Sequence, residues 1–270
     1  MGGYRMGVKL RKAIIISVLF AFMIGGILIL YPYVTFYYHF EVEYDTENQG
    51  YILKSVNHWK KENLTLPDTI PNGSPIIGLN SVIQSYRQEN DTIKQIIIPD
   101  TYERINSGAF NFLPALEQIS LGKNVTGLYG GMFATNVQLS KISIDSDHAF
   151  YISEGNCIID RKSKQLIIGC KDSEIPTWVE SIGEAAFAYV EFAELTIPSC
   201  VKKIGASAFY RCRALEKIVI SENVTEILHS AFYECPNLRI YCVLSQKPSG
   251  WDDQWCDEVC DVVWNYEKGE

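Results

Sequence analysis

The chain has 270 residues, 47% of them hydrophobic and 21% charged, which is enough apolar material for a sizeable core and excludes a disordered polypeptide. Arg5, Lys9, Arg11 and Lys12 are the only charged side chains before Glu41, so the formal charge of −8 becomes −12 once those four positive charges are set aside. An acidic body of this kind repels phosphate backbones, and nucleic acid is not an expected partner.

Residues 1–12 form a basic tail, and Ala13 to Leu30 then run eighteen residues without a charge. At ~1.5 Å per helical residue such a run nearly crosses a ~30 Å hydrocarbon core, and Tyr31, Tyr33, Phe36, Tyr37 and Tyr38 follow like an interfacial belt. The pattern predicts one transmembrane helix, a signal anchor over residues 13–33, with the N-terminus cytoplasmic and the rest of a single-pass membrane protein extracellular. A cleaved signal peptide is the rival reading, but no A-x-A-like site follows the run. The polar segment 41–63 reads as an N-terminal cap or a stalk.

From Leu64 onward the chain repeats. Aligned on an Ala-Phe or Met-Phe pair, Phe110, Phe133, Phe187, Phe209 and Phe232 are spaced by 23, 54, 22 and 23 residues, a period of about 23 with one insertion. Each Phe is preceded by apolar residues eight and five positions before it and followed by others six, nine and eleven after. One unit reads Val201, Ile204, Phe209, Leu215, Ile218, Ile220, and the next Val224, Ile227, Phe232, Leu238, Tyr241, Val243. The unit at Phe187 is one residue shorter. The Leu-x-x-Ile-x-Ile segment alternates like a short strand, and "SAFYRC" reads as a compact turn or one helical turn. A unit this small cannot bury both parts alone, so units must stack into a solenoid over residues 64–243. The 54-residue interval holds two apolar runs, Cys157-Ile158-Ile159 and Leu166-Ile167-Ile168, around the polar turn Arg161 to Lys164, a hairpin signal at about residues 150–172.

"KIVISENVTEILHSAFYECPNL" and "ELTIPSCVKKIGASAFYRCRALEKIVI" resemble the BspA-like family of bacterial surface leucine-rich repeats. The resemblance implies an α/β repeat fold, a leucine-rich-repeat solenoid with short parallel strands, and the binding role of a surface adhesin. The tail 244–270 is similar to the Trp-rich closing segment of such arrays, with Trp251, Trp255 and Trp264 large enough to cover the last unit; an aromatic carbohydrate site is the second reading there.

The position three after each Phe holds Leu113, Asn136, Val190, Cys212 and Cys235, so Cys212 and Cys235 read as core residues together with the five phenylalanines. No C-x2-C pair suggests a metal site. Disulfides pairing Cys212 with Cys235, Cys157 with Cys170, or Cys256 with Cys260 stay open. His39, His58, His148 and His229 sit in no recognisable motif, and no phosphate-binding, nucleophile-elbow or zinc-protease signature is present, so neither catalysis nor a cofactor is expected. The sequons at Asn124 and Asn223 occupy equivalent repeat positions.

What remains is a non-catalytic module with an unknown protein or glycan ligand. Alternation along the strands predicts two outward columns as its working face: Gln118, Lys141, Glu194, Lys217 and Ile240 in one, Ser120, Ser143, Thr196, Val219 and Cys242 in the other. The alternative role is a structural scaffold of the cell's own envelope.

Overall fold

A computed structural model of the chain describes residues 27–80, 92–106, 108–257 and 260–267. Most of the expected membrane segment, residues 13–33, lies outside them. Within them is a helix at Ile27–His39, 13 residues long with Pro32 inside it. No helix among the described residues is long and apolar enough to cross a membrane. That finding overturns the expectation of a single-pass membrane protein.

Past His39 the described chain is strand and turn throughout. Each coil contributes a strand of three or four residues whose β-branched side chains alternate with outward ones. In Lys217–Ile220, Ile218 and Ile220 are fully buried while Lys217 and Val219 face out. A second, two-residue strand forms at the Val-x-x-Ile motif, followed by glycine in the first two of these coils: Ser181–Ile182, Lys203–Ile204 and Glu226–Ile227 pair in parallel, coil on coil. The glycine there permits the close approach, since a Cβ on Gly205 would lie 2.6 Å from backbone atoms of Gly183 and Glu184.

The Ala-Phe segments are turns, and the fold is a β-solenoid instead of the expected α/β repeat. Two residues four apart adopt left-handed backbone in each: Ala185 (φ 50°) with Tyr189 (65°), Ser207 (54°) with Arg211 (58°), Ser230 (56°) with Glu234 (57°). A helix needs unbroken right-handed dihedrals and amides that bond four residues back. Here the amides reach the next coil: Phe187 N–H donates to Ala208 O at 2.8 Å, Phe209 to Ala231 at 2.8 Å and Phe232 to Trp255 at 2.9 Å.

Among the described residues the strands assemble into four sheets. In the N-terminal half, Asn63–Thr65, Gln95–Ile97, Gln118–Leu121 and Lys141–Ile144 run parallel. Opposite them lies a sheet that begins with the antiparallel hairpin Phe40–Asp45 and Gly50–Val56 and continues through Ile76–Leu79 to Arg104–Ile105. In the C-terminal half, Glu194–Thr196, Lys217–Ile220, Arg239–Cys242 and Asp261–Val263 run parallel. The fourth sheet joins the two-residue strands to Gln165–Ile168, Cys157–Asp160 and Tyr151–Glu154.

That last hairpin is the wall between two cores. Ile158, Ile168 and Cys170 pack into the N-terminal core, and Cys157, Ile159 and Leu166 into the C-terminal one. Burial on both faces explains why its strands read as continuous apolar runs. In the C-terminal core Phe187, Phe209 and Phe232 stack at centroid distances of 5.3 and 5.0 Å, nearly parallel, and Trp255 closes the row edge-on at 5.8 Å. Phe110 and Phe133 form a shorter pair at 5.0 Å in the N-terminal core. At the open end Trp251 is buried and its indole N–H donates to Val224 O at 3.0 Å. Each buried aromatic contributes ~1.5–3 kcal/mol of transfer free energy. Because Phe209 has a ring on either side, Phe209→Ala is expected to lower stability by about 3–5 kcal/mol in urea unfolding. A loss well under about 1 kcal/mol would show that the row is not a continuous core.

Candidate binding surface

The predicted strand-face residues fall on two separate sheets. In the N-terminal half Gln118 is in register with Lys141 and Ser120 with Ser143, whose hydroxyl donates to Ser120 Oγ at 3.1 Å. In the C-terminal half Glu194, Lys217, Arg239 and Asp261 form one column, and Thr196, Val219, Tyr241 and Val263 the next. Arg239 and Tyr241 therefore stand where the repeat spacing put Ile240 and Cys242, which are fully buried. The chain is one residue shorter between Leu238 and its strand than in the preceding unit. The alternation Arg-Ile-Tyr-Cys, set against Lys-Ile-Val-Ile, carried that signal.

The corrected register brings chemistry to this face. The Lys217 ammonium lies 5.6 Å from the centre of the Tyr241 ring, and Arg239 Nε donates to Asp261 at 2.5 Å. Tyr266 packs on Tyr241 at 4.7 Å. A groove runs along the rim of this sheet, lined by Thr196, Val219, Ser221, Glu222, Asn265 and Tyr266 among others. A second groove lies on the N-terminal sheet, where Ser120 and Ser143 join Asp68, Asp100, Thr101 and Asp145. Ser221 Oγ in the first and Thr101 Oγ1 in the second are buried without a hydrogen-bond partner. Gln118, Lys141, Glu194 and Lys217 flank these grooves without lining them.

The turn side of the coils carries a different cluster, also missed by the strand-face reading. Arg211 makes a two-point ion pair with Glu234 at 2.7 and 2.9 Å and donates to Tyr189 Oη at 3.2 Å. Tyr210 Oη donates to Glu234 at 2.8 Å, and the guanidinium sits 5.1 Å from the Tyr210 ring centre. The hydrogen bond from Arg211 holds Glu234 below the usual carboxylate range, and the bond to Glu234 pushes the Tyr210 phenol up. These groups saturate one another across neighbouring coils.

The position three after Phe does more than fill space. Cys212 Sγ donates to Phe187 O at 3.1 Å, and Cys235 Sγ to Phe209 O at 3.0 Å. Asn136 does the same work with a stronger donor: its Nδ2 reaches Phe110 O at 2.7 Å while its Oδ1 accepts Leu113 N–H at 3.0 Å. All eight cysteines are free thiols. The sequon asparagines likewise tie coil to coil, Asn124 Nδ2 donating to Asp100 O and Asn223 Nδ2 to Ser199 O, both at 2.8 Å. His148 is buried, its Nε2 2.8 Å from Val125 O and its Nδ1 accepting the Phe150 and Tyr151 amides. Among the described residues no three His, Cys, Asp or Glu side chains converge to hold a metal ion.

The sequence matches the model of the BspA type leucine rich repeat region in six copies, over residues 81–157 and 158–247, more than half of the chain. The chain belongs to the BspA-type leucine-rich repeat family. No curated protein matches it in sequence. Among solved structures, a leucine-rich repeat protein from Eubacterium ventriosum is 16% identical, with a TM-score of 0.45 over 78% of this chain and 72% of that one. One from Bacteroides ovatus is 21% identical, with a TM-score of 0.45 over 77% of this chain and 47% of that one. A leucine rich cell surface protein from Faecalibacterium prausnitzii is 16% identical, with a TM-score of 0.32 over 85% and 94% of the two chains.

Burial sorts the BspA-type array's thiols by reactivity. It pushes Cys157 and Cys242 up to about 12 and Cys170 to about 11, and raises Cys212 well above the ordinary thiol value. Cys256 and Cys260 are half-buried and share a hydrogen bond, which lowers Cys260 and raises Cys256. Iodoacetamide at pH 8 is expected to modify Cys260 ahead of these buried thiols, which react only on unfolding; peptide mass mapping reads the order. The raised thiols bind their protons more tightly folded than unfolded. Their contribution to stability is therefore present below the ordinary value of 9.0 and is lost as pH rises from there toward 12. Unfolding temperatures flat across that range would contradict the burial of these groups.

Proposed function

We propose that this repeat array is a binding module that does no chemistry of its own and holds a protein or glycan partner on the strand face of its C-terminal half. The contrast between its two polar surfaces carries the reading. On the turn side Arg211, Glu234, Tyr189 and Tyr210 are hydrogen-bonded to one another, so a partner must displace those bonds to use them. On the strand side the groove brings together Tyr266, the Ser221 hydroxyl without a partner and the exposed carboxylate of Glu222. Unspent polar groups beside an aromatic ring, on a rigid sheet, suit recognition at low ordering cost.

The face can be tested without knowing the partner. Photo-reactive p-benzoylphenylalanine replaces Val219 in the groove, Ser120 on the N-terminal sheet or Tyr189 on the turn side, in otherwise identical full chains. Each is irradiated with a panel of purified matrix proteins and glycoproteins. Cross-linking confined to position 219 is the expected result. Cross-linking from position 189 alone would move the contact to the turn side and overturn the assignment.

A further inference from the structure

We propose that the occupant of the C-terminal groove is a neutral oligosaccharide, a reading that rests on the strand-face assignment above and narrows it to one chemistry. The first support is a ring fixed by its backbone. Asn265 adopts left-handed backbone (φ 57°) and its N–H donates to Leu244 O at 2.9 Å; the next N–H, of Tyr266, donates to Cys242 O at 2.9 Å. The two bonds clamp Tyr266 beside the sheet with its ring on Tyr241. A ring held this way offers an apolar surface to the C–H face of a pyranose with little entropy to lose on binding.

The second support is the polar complement. Sugar hydroxyls donate and accept, and the groove supplies both: Asn265 carries an amide, Glu222 and Glu267 are acceptors only, and Ser221 lines the space with an unpartnered hydroxyl. A buried hydroxyl left without a bond costs free energy, which a ligand hydroxyl recovers once the serine side chain rotates toward it. Glu222 and Glu267 are exposed and make no ion pair among the described residues. Two unpaired carboxylates on a chain already acidic reject sulfate, phosphate and sialate groups, which leaves neutral sugars.

The third support is extent. The residues of the groove come from four successive parallel strands and the turns that follow them, Thr196, Val219, Val243 and Asn265 in order. With strands about 4.8 Å apart, four coils span about 14 Å, room for a chain of several sugars lying across the sheet.

Isothermal titration calorimetry of the full chain with neutral hexasaccharides of the cello, xylo, manno and malto series, and a heparin hexasaccharide as the anionic control, tests the proposal. At least one neutral series is expected to bind and the heparin fragment is not. Tyr266→Ala is expected to weaken that binding about tenfold or more, and Tyr266→Phe, which keeps the ring, to retain it. Thermal unfolding of both variants separates a lost contact from a lost fold. Binding of heparin alone, of no neutral sugar, or undiminished binding by a folded Tyr266→Ala chain each overturns the proposal. Protein cross-linked at position 219 while all sugars fail would leave the face standing and remove the glycan. Silence in both assays would remove both.

Discussion

Everything in this molecule depends on backbone groups that a single coil cannot satisfy by itself. The amide of each Ala-Phe turn in the C-terminal half donates to the next coil, and the carbonyl of Phe187 or Phe209 accepts a thiol from it. A buried backbone group without a partner costs about as much as a hydrogen bond gains, so an isolated coil is unstable and a stack is stable. The same arrangement explains why the ends need covers. The hairpin Phe40–Val56 closes one end with Phe40, Leu53 and Val56 buried, and Trp251 and Trp255 close the other. Trp255 accepts the Phe232 amide that a further repeat would otherwise receive.

The repeat period and its family were legible because hydrophobic spacing is a long-range signal, sampled again in every coil. The absence of a helical turn was not, because "SAFYRC" carries no glycine or proline to mark its left-handed positions. Ser207 and Arg211 enter that region because inter-coil hydrogen bonds hold them there, at a cost of ~1–2 kcal/mol per residue that local sequence does not announce. The strand face was legible in the first coils and slipped in the last. A period of 23 projected from Lys217 lands on Ile240, one residue beyond the Arg239 that the sheet pairs with it. A single deletion exchanges the two faces of a strand, so an error of one residue hid Arg239 and Tyr241.

The cysteines show how a tolerance read from sequence can be right about burial and incomplete about chemistry. Leu113, Val190, Cys212 and Cys235 share a slot, and the reading of a small hydrophobe accounts for its enclosure. It does not account for Asn136, which is buried at the same position. The structure reconciles them, since Asn136 and the two cysteines all donate to the carbonyl of the preceding phenylalanine. A thiol is the weaker donor and the better hydrophobe, and an amide the reverse. In the N-terminal half the turn makes fewer direct amide contacts to its neighbour, and there the stronger donor is found, joined by Thr135, whose Oγ1 accepts Phe112 N–H at 2.8 Å.

Stacking also decides where the array can meet a partner. Every polar group that ties one coil to the next is consumed by the fold, which is why the turn side, rich in tyrosine and arginine, is chemically quiet: Arg211 and Glu234 are already paired across coils. The strand side differs because its side chains point away from the core, and beside the Arg239–Asp261 pair and the Lys217–Tyr241 contact the groove keeps polar groups that no neighbouring coil uses, the Ser221 hydroxyl and the Glu222 carboxylate. Side chains such as these can vary without loosening the solenoid. Aromatic and polar residues gather where the last coil and the tail meet, at Tyr241, Asn265, Tyr266 and Glu267, since two backbone bonds tie the tail to the last coil and bring side chains that belong to no repeat. Specificity in a uniform array is easiest to build where the uniformity ends.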